Sequence, residues 1–454
     1  MPCPQFPHLL PAAVLAALLI GAGACPAQAQ ELRFEPSASM TMELRNARWF
    51  DGKTMQRGTL YVKDGRFTSQ KIKKPERRMD FRGQQYLIAP LAEANNLNLQ
   101  SAWGFGRYAQ SYLRDGVFYA AMLCSDPKSV APLRELSGKP DSPDVLFNTA
   151  CLSAPEGYPL AQLVGPRPAS DKGADKGADK GADKAALAAF NARLAEVIDK
   201  SILVIDSADQ LAQKWPLVAP RKSDMLTLML NRSDAPELRG DPRQFGRYGV
   251  KPELVGAVVK RAHQDGLRVW AHIETAADFQ VAVQAGVDVI AHLPGYLIAE
   301  GVSLDHYRIS PEAAAEAARR KVNVITGTAA AALFKTTPEQ HAAIRRLQVD
   351  NLKTLAQAGV PLLLGSDSFN STALAEWRHL TALGALDAAT LLRIATIDTP
   401  RALFPKRQLA CFEPGCEASF LVLPANPLED PSALERIHLR IKQGRILTLP
   451  GAAE

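Results

Sequence analysis

No arginine-rich block stands anywhere in these 454 residues, and the net charge of +6 is mild for the length. Nucleic-acid surfaces need clustered Lys and Arg, so that class of partner is not expected. No Gly-x-Gly-x-x-Gly turn follows an early strand-like run, which argues against a dinucleotide-binding sheet. The paired cysteine spacing of a zinc ribbon is missing too. The apolar stretch Leu9 to Ala24 falls short of the roughly 20 residues of a membrane span. What is present is ordinary globular composition, 47% hydrophobic and 22% charged, in a chain long enough for a large core and two domains.

The first residues read as an export signal. Leu9 to Ala24 supplies the apolar core, and Ala27-Gln28-Ala29 fits a small-residue cleavage site, giving a signal peptide over 1–29. No Lys or Arg precedes the apolar run, which departs from the usual pattern. Pro2, Pro4, Pro7 and Pro11 argue against a buried N-terminal helix. The expectation is a periplasmic or secreted protein. Lipidation at Cys25 is the weaker alternative, because Ala22 is a poor fit three positions earlier. Export leaves Cys124, Cys151, Cys411 and Cys416 in an oxidising compartment. Cys411 and Cys416 flank a turn sequence, and Cys124 and Cys151 each follow an apolar run. Both bridges are open at this point, since four buried thiols fit the same pattern.

Short strand-like runs with Asp51-Gly52 and Asp64-Gly65 turns fill 30–87, and similar text returns over 405–454. One β-sandwich assembled from both chain ends is the expectation. Between them, apolar runs such as Val269-Trp270-Ala271-His272 and Pro361-Leu362-Leu363-Leu364 alternate with helical text. Continuous apolar runs mark strands buried on both faces, as in a parallel sheet. Repetition of such units over 88–404 indicates a (β/α)8 TIM-like barrel or a doubly wound sheet. The repeat DKGADKGADKGADK at 171–184 reads as a solvated, low-complexity insertion before a helix from Ala185.

Three residues carry candidate chemistry. His272 and His292 each end a strand-like run, twenty residues apart, about one β-α unit. In a barrel such residues point into one site, and paired imidazoles suit zinc. The bland alternative is a pair of structural histidines. Asp367 follows a buried run and Gly365-Ser366. It reads equally as a site carboxylate or as a helix N-cap.

The stretch Ile88-Ala89-Pro90-Leu91-Ala92-Glu93-Ala94-Asn95-Asn96-Leu97-Asn98 resembles the first barrel strand of the amidohydrolase superfamily, the metal-dependent TIM-barrel hydrolases. Ala271-His272 and Ala291-His292 are similar to that family's fifth- and sixth-strand histidines, and Gly365-Ser366-Asp367 to its eighth-strand aspartate. Ala395 to Leu403 and Gly415 to Leu423 are similar to the helix after the barrel and to the closing β segment. The resemblance settles the barrel against the doubly wound sheet. It also implies a C–N bond hydrolase with metal ligands at His272, His292 and Asp367, the last as proton shuttle as well.

The chain departs from that pattern. Asn95 and Leu97 stand where the family has a His-x-His pair, and Thr227 stands at or near its bridging lysine. Leu97 has no lone pair to give, so the usual two-ion centre is not expected and at most one zinc ion remains. Two functions follow. One is a hydrolase of non-peptide or dipeptide-like C–N bonds with a reduced site. The other is a catalytically inactive pseudoenzyme that binds a small ligand or a protein partner. Specificity would lie in the loops Pro155 to Pro168 and Asn231 to Tyr248.

Overall fold

The structure, a computed structural model, describes residues 33–168, 180–299 and 301–450. The expected signal peptide, with Cys25, and most of the insertion lie outside those residues. In chain order the strands are β1 (Glu35–Pro36), β2 (Met42–Phe50), β3 (Met55–Lys63), β4 (Arg66–Thr68), β5 (Arg77–Asp80) and β6 (Tyr86–Ile88). Next come β7 (Leu91–Asn96), β8 (Val117–Met122), β9 (Asp144–Leu146), β10 (Ala150–Ser153), β11 (Ile202–Val204), β12 (Leu226–Met229), β13 (Val269–His272), β14 (Val289–Ile290), β15 (Asn323–Ile325) and β16 (Leu362–Leu363). The last three are β17 (Phe420–Leu423), β18 (Leu439–Lys442) and β19 (Arg445–Thr448).

Strands β7 to β16 form the barrel. Their residues are almost all buried, which is why they read as unbroken apolar runs. One parallel ladder runs β11-β10-β12-β13-β14-β15-β16, and a second joins β7, β8 and β9. β9 and β10 are separated by three residues and together make the third stave. The helices alternate with the strands for local reasons. Helix Ala276–Ala285 begins with a capping box between Thr275 and Asp278 and stops at Gly286, whose φ of 79° suits glycine. The helix after the insertion starts at Lys180, five residues earlier than the sequence suggests.

The ring is closed by direct bonds between the first and last strands. Ala94 N–H donates to the Leu364 carbonyl at 2.8 Å, and Asp367 N–H donates to the Asn95 carbonyl at 3.0 Å. Gly365 permits this approach: a Cβ there would lie 2.9 Å from the Asn95 nitrogen and 2.6 Å from Ile325 Cγ2.

The other unit is a nine-stranded sheet drawn from both chain ends, β1-β19-β18-β17-β6-β2-β3-β4, with β5 also on β2. The hydrogen bonds make it one sheet, where the sequence suggests a sandwich. A bulge between Leu44 and Ala47 lets the first half of β2 pair with β5 and the second half with β6. Its core is small and separate, built on Met42, Leu44, Val62, Phe67, Phe420 and Ile441. The cysteines pair as Cys124–Cys151 and Cys411–Cys416.

A buried ionic network ties this sheet to the barrel. Lys442, fully buried, donates to Asp144 at 2.7 Å and to the Lys139 carbonyl at 2.8 Å. Arg407 joins Asp144 at 2.5 Å to Glu417 at 2.7 Å, and Tyr119 donates to Glu417 at 3.1 Å. Removing one partner of a buried pair leaves an uncompensated charge. Lys442→Met should therefore lower the unfolding free energy by about 3 kcal/mol, read from urea titration. An unchanged midpoint would mean that the pair contributes nothing to the junction.

Candidate functional site

The site sits at the C-terminal ends of the barrel strands, where strand ends and loops converge. His272 closes β13, and His292 lies two residues beyond β14. Both rings are buried. His272 Nδ1 and His292 Nε2 are 2.9 Å apart. His292 Nδ1 lies 3.1 Å from the Leu293 carbonyl, an acceptor only, so Nδ1–H donates there. Its Nε2 then accepts the Nδ1–H of His272, and the His272 Nε2 lone pair is left, 3.5 Å from Asn231 Nδ2. That last distance is too long for a strong bond. Burial holds the pKa of His272 well below the usual value, and its neighbour His292 adds to this. Burial lowers His292 as well, against the opposing charge of Asp367. Both imidazoles are neutral at pH 7.

Asp367 joins them from the loop after β16. Its φ of 50° is left-handed, a strained conformation for a non-glycine residue. Burial raises its carboxyl, while His292 and a hydrogen bond from the Asn95 side chain pull it back down. It is not a helix N-cap: the helix Ala373–Leu383 is capped by Thr372. Asn95 Nδ2 also donates to the Ala291 carbonyl at 3.1 Å, and its Oδ1 is buried without a partner.

Leu97 lines the cavity with its alkyl side chain. Thr227 does not join the group. Its hydroxyl donates to the Leu123 carbonyl at 2.8 Å and contacts the Asn148 amide, and it is not part of the cavity wall.

The cavity bordered by His272 holds about 350 Å³. Tyr158 stacks flat on His272, with centroids 4.5 Å apart, and Tyr296 meets His292 edge-on at 5.0 Å. Glu274 stands two residues past His272 and also forms wall. Burial pushes its pKa up to about 7, Asp278 adds to this, and Arg232 and Asn231 oppose it. No motif marks Glu274, Tyr158, Tyr296 or Asn231 in the sequence, although Tyr158 and Asn231 fall within the two loops expected to set specificity.

Among the described residues no three His, Cys, Asp or Glu side chains stand together as a metal-holding group. The separation of the two facing ring nitrogens matches one ion, bound in place of the proton that lies between them. Bonds of about 2.0–2.1 Å put two neighbouring ligand atoms roughly 2.9–3.4 Å apart. The Asn95 side-chain oxygen, on the strand that closes the ring, is buried without a partner. Two ring nitrogens are too few to hold two ions.

Glu93 underlies the whole arrangement. Fully buried on β7, it accepts from the Ser366 N–H at 2.7 Å and the Ser366 hydroxyl at 2.8 Å. Burial pushes its pKa up to about 8. The folded protein thus binds a proton that the unfolded chain releases near the ordinary carboxylate value. Its contribution is fully present below about pH 4.5 and is lost as pH rises through about 8. Glu93→Gln should flatten that slope, so that urea midpoints at pH 5 and pH 9 lie closer together than in the parent. Equal slopes would contradict it.

Residues 243–447 match the model of the Amidohydrolase family. No curated protein matches the chain. Among solved structures, it is similar to a Xaa-Pro dipeptidase with methionine bound in the active site, at 16% identity over 90% of this chain and 100% of that one, with a TM-score of 0.66. It is also similar to A. niger ochratoxinase, at 16% identity over 91% and 96%, TM-score 0.65. A prolidase complexed with N-methylphosphonate-L-proline gives 16% over 90% and 100%, TM-score 0.64. At these identities the likenesses show the fold.

Proposed function

We propose that this chain, whose residues 243–447 match the model of the Amidohydrolase family, hydrolyses C–N bonds in small non-peptide or dipeptide-like molecules, using at most one metal ion. The observation that carries this is the facing pair His272 Nδ1 and His292 Nε2, 2.9 Å apart beneath a substrate-sized cavity. His272, His292 and the Asn95 oxygen would hold the ion. When bound, it would supply a water of lowered pKa and polarise the scissile carbonyl. Under the family resemblance Asn95, Leu97 and Thr227 fill positions of further ligands, and their chemistry supports one ion instead of two.

With Asn95 as third donor, Asp367 is not required as a ligand. Its carboxylate is left to take the attacking water's proton and return it to the leaving nitrogen. Asn95 fixes the carboxylate from one side with a hydrogen bond that favours its charged form. Tyr158 and Tyr296 shield the histidines from bulk water. Export to the periplasm or beyond is part of the proposal. It is supported by the Ala27-Gln28-Ala29 signal and by the two disulfides, which persist in oxidising compartments.

A second reading is a binding protein without turnover. It is favoured by the direct bond between the histidines, which occupies both facing nitrogens. A screen of amides, lactams and carbamates separates the two. Turnover by the parent, lost by about 100-fold or more in His272→Ala and lowered in kcat more than KM in Asp367→Asn, supports the hydrolase. Undiminished turnover in His272→Ala would contradict it. No turnover by the parent, with ligands still bound, would support the binding protein.

A further inference from the structure

The cavity's walls carry one sign of charge. Glu274 and Asp367 face it, and among the described residues lining it there is no lysine or arginine. In a chain with 53 Lys and Arg this is a local exclusion of positive charge. Asp126 also borders the cavity, but its carboxylate is taken up by Ser129 and Ser201. Arg232 and Arg247 act on Glu274 from outside the wall, and Arg232 is bonded to Gln244.

The unsatisfied atoms point to the same chemistry. Ser125, nine-tenths buried, has a hydroxyl without a partner, and so do the side-chain oxygens of Gln100 and Gln162. All three residues line the cavity. Two of these atoms are acceptors only, and a buried acceptor left unpaired is costly, so the ligand that stabilises the site brings N–H donors. The remaining wall is aromatic and aliphatic. Tyr158, Tyr296, Phe334 and Phe369 present ring surface, and ring faces attract cations. Leu297 and Leu333 belong to the same lining and are 42% and 37% exposed, which gives the cavity an apolar mouth.

We propose that the cavity selects an amphiphilic amine: an aryl or alkyl body carrying one protonated nitrogen, with the ammonium group between Glu274 and Asp367. The ammonium donates to the carboxylates and to the orphaned side-chain oxygens, and the body fills the aromatic part. A ligand with a free carboxylate finds no cation to pair with. A Xaa-Pro dipeptide carries such a carboxylate, so this cavity favours other substrates. The inference rests on the proposed site being this cavity, and not on turnover.

The test is calorimetric titration of the full chain at low salt with phenylbutylamine, phenylbutanol and phenylbutyrate, which share a body and differ in charge. The amine should bind about tenfold or more tighter than the alcohol, with the acid weakest. Glu274→Gln and Asp367→Asn should each bring the amine's affinity toward the alcohol's, with the alcohol unchanged. The alcohol thus reports an intact cavity, and a variant that loses both ligands is replaced by the other. Phenylbutyrate binding as tightly as the amine, or no binding of the amine by the parent, would overturn the proposal. Amine binding without hydrolysis of any amide would leave it standing and sink the hydrolase reading. Turnover restricted to carboxylate-bearing substrates would do the reverse.

Discussion

A carboxyl group sealed between the first and last strands of the barrel is the constraint on which the site depends. Taking Glu93 out of water is costly, and the two bonds from Ser366 offset that cost. They are available only because Gly365 lets the last strand lie against the first. The seam then turns the chain into the left-handed conformation at Asp367 and brings that carboxylate beside Asn95. Asn95 reaches the Ala291 carbonyl, one residue before His292. One closure thus sets the relative positions of the acid, the amide and the histidine.

Burial also sets the chemistry of these groups. The imidazoles are held neutral, and a neutral imidazole offers a lone pair where a protonated one cannot. The carboxyls at Glu274 and Asp367 are pushed upward, so both sit in an environment that rewards an arriving positive charge. The ring nitrogens meet at a distance that one shared proton or one metal ion satisfies. Aromatic walls over the pair keep the dielectric low, which strengthens each of these interactions. A single cation, metal or ammonium, is the common answer to this electrostatic arrangement.

The barrel was legible because its strands are buried on both faces and leave apolar runs with no alternation. His272 and His292 were legible because each ends such a run. The short strand β10 was not, since Ala150 to Ser153 carries no long apolar signal and is fixed by pairing with β11 and β12. The sheet formed from both chain ends was read correctly as a shared unit, but its continuity depends on the bend in β2, which no residue pattern announces. Both cysteine pairings were open in the sequence and needed neighbouring positions in space to decide them. Asp367 as helix cap was a fair alternative that Thr372 removes. Glu93 was quoted as part of a motif, but its role comes from a partner 273 residues away. The cavity's charge bias comes from loops distant in sequence and is visible only once they meet.

The claim most exposed to test is that this barrel holds one ion on its facing histidines, and not two. The direct measurement is metal stoichiometry by inductively coupled plasma mass spectrometry, after equilibrium dialysis of chelator-free protein against zinc or manganese. The account predicts about one ion per chain, absent when His272 and His292 are both replaced by alanine. Two ions per chain, one that survives the double replacement, or none in the parent protein would contradict it.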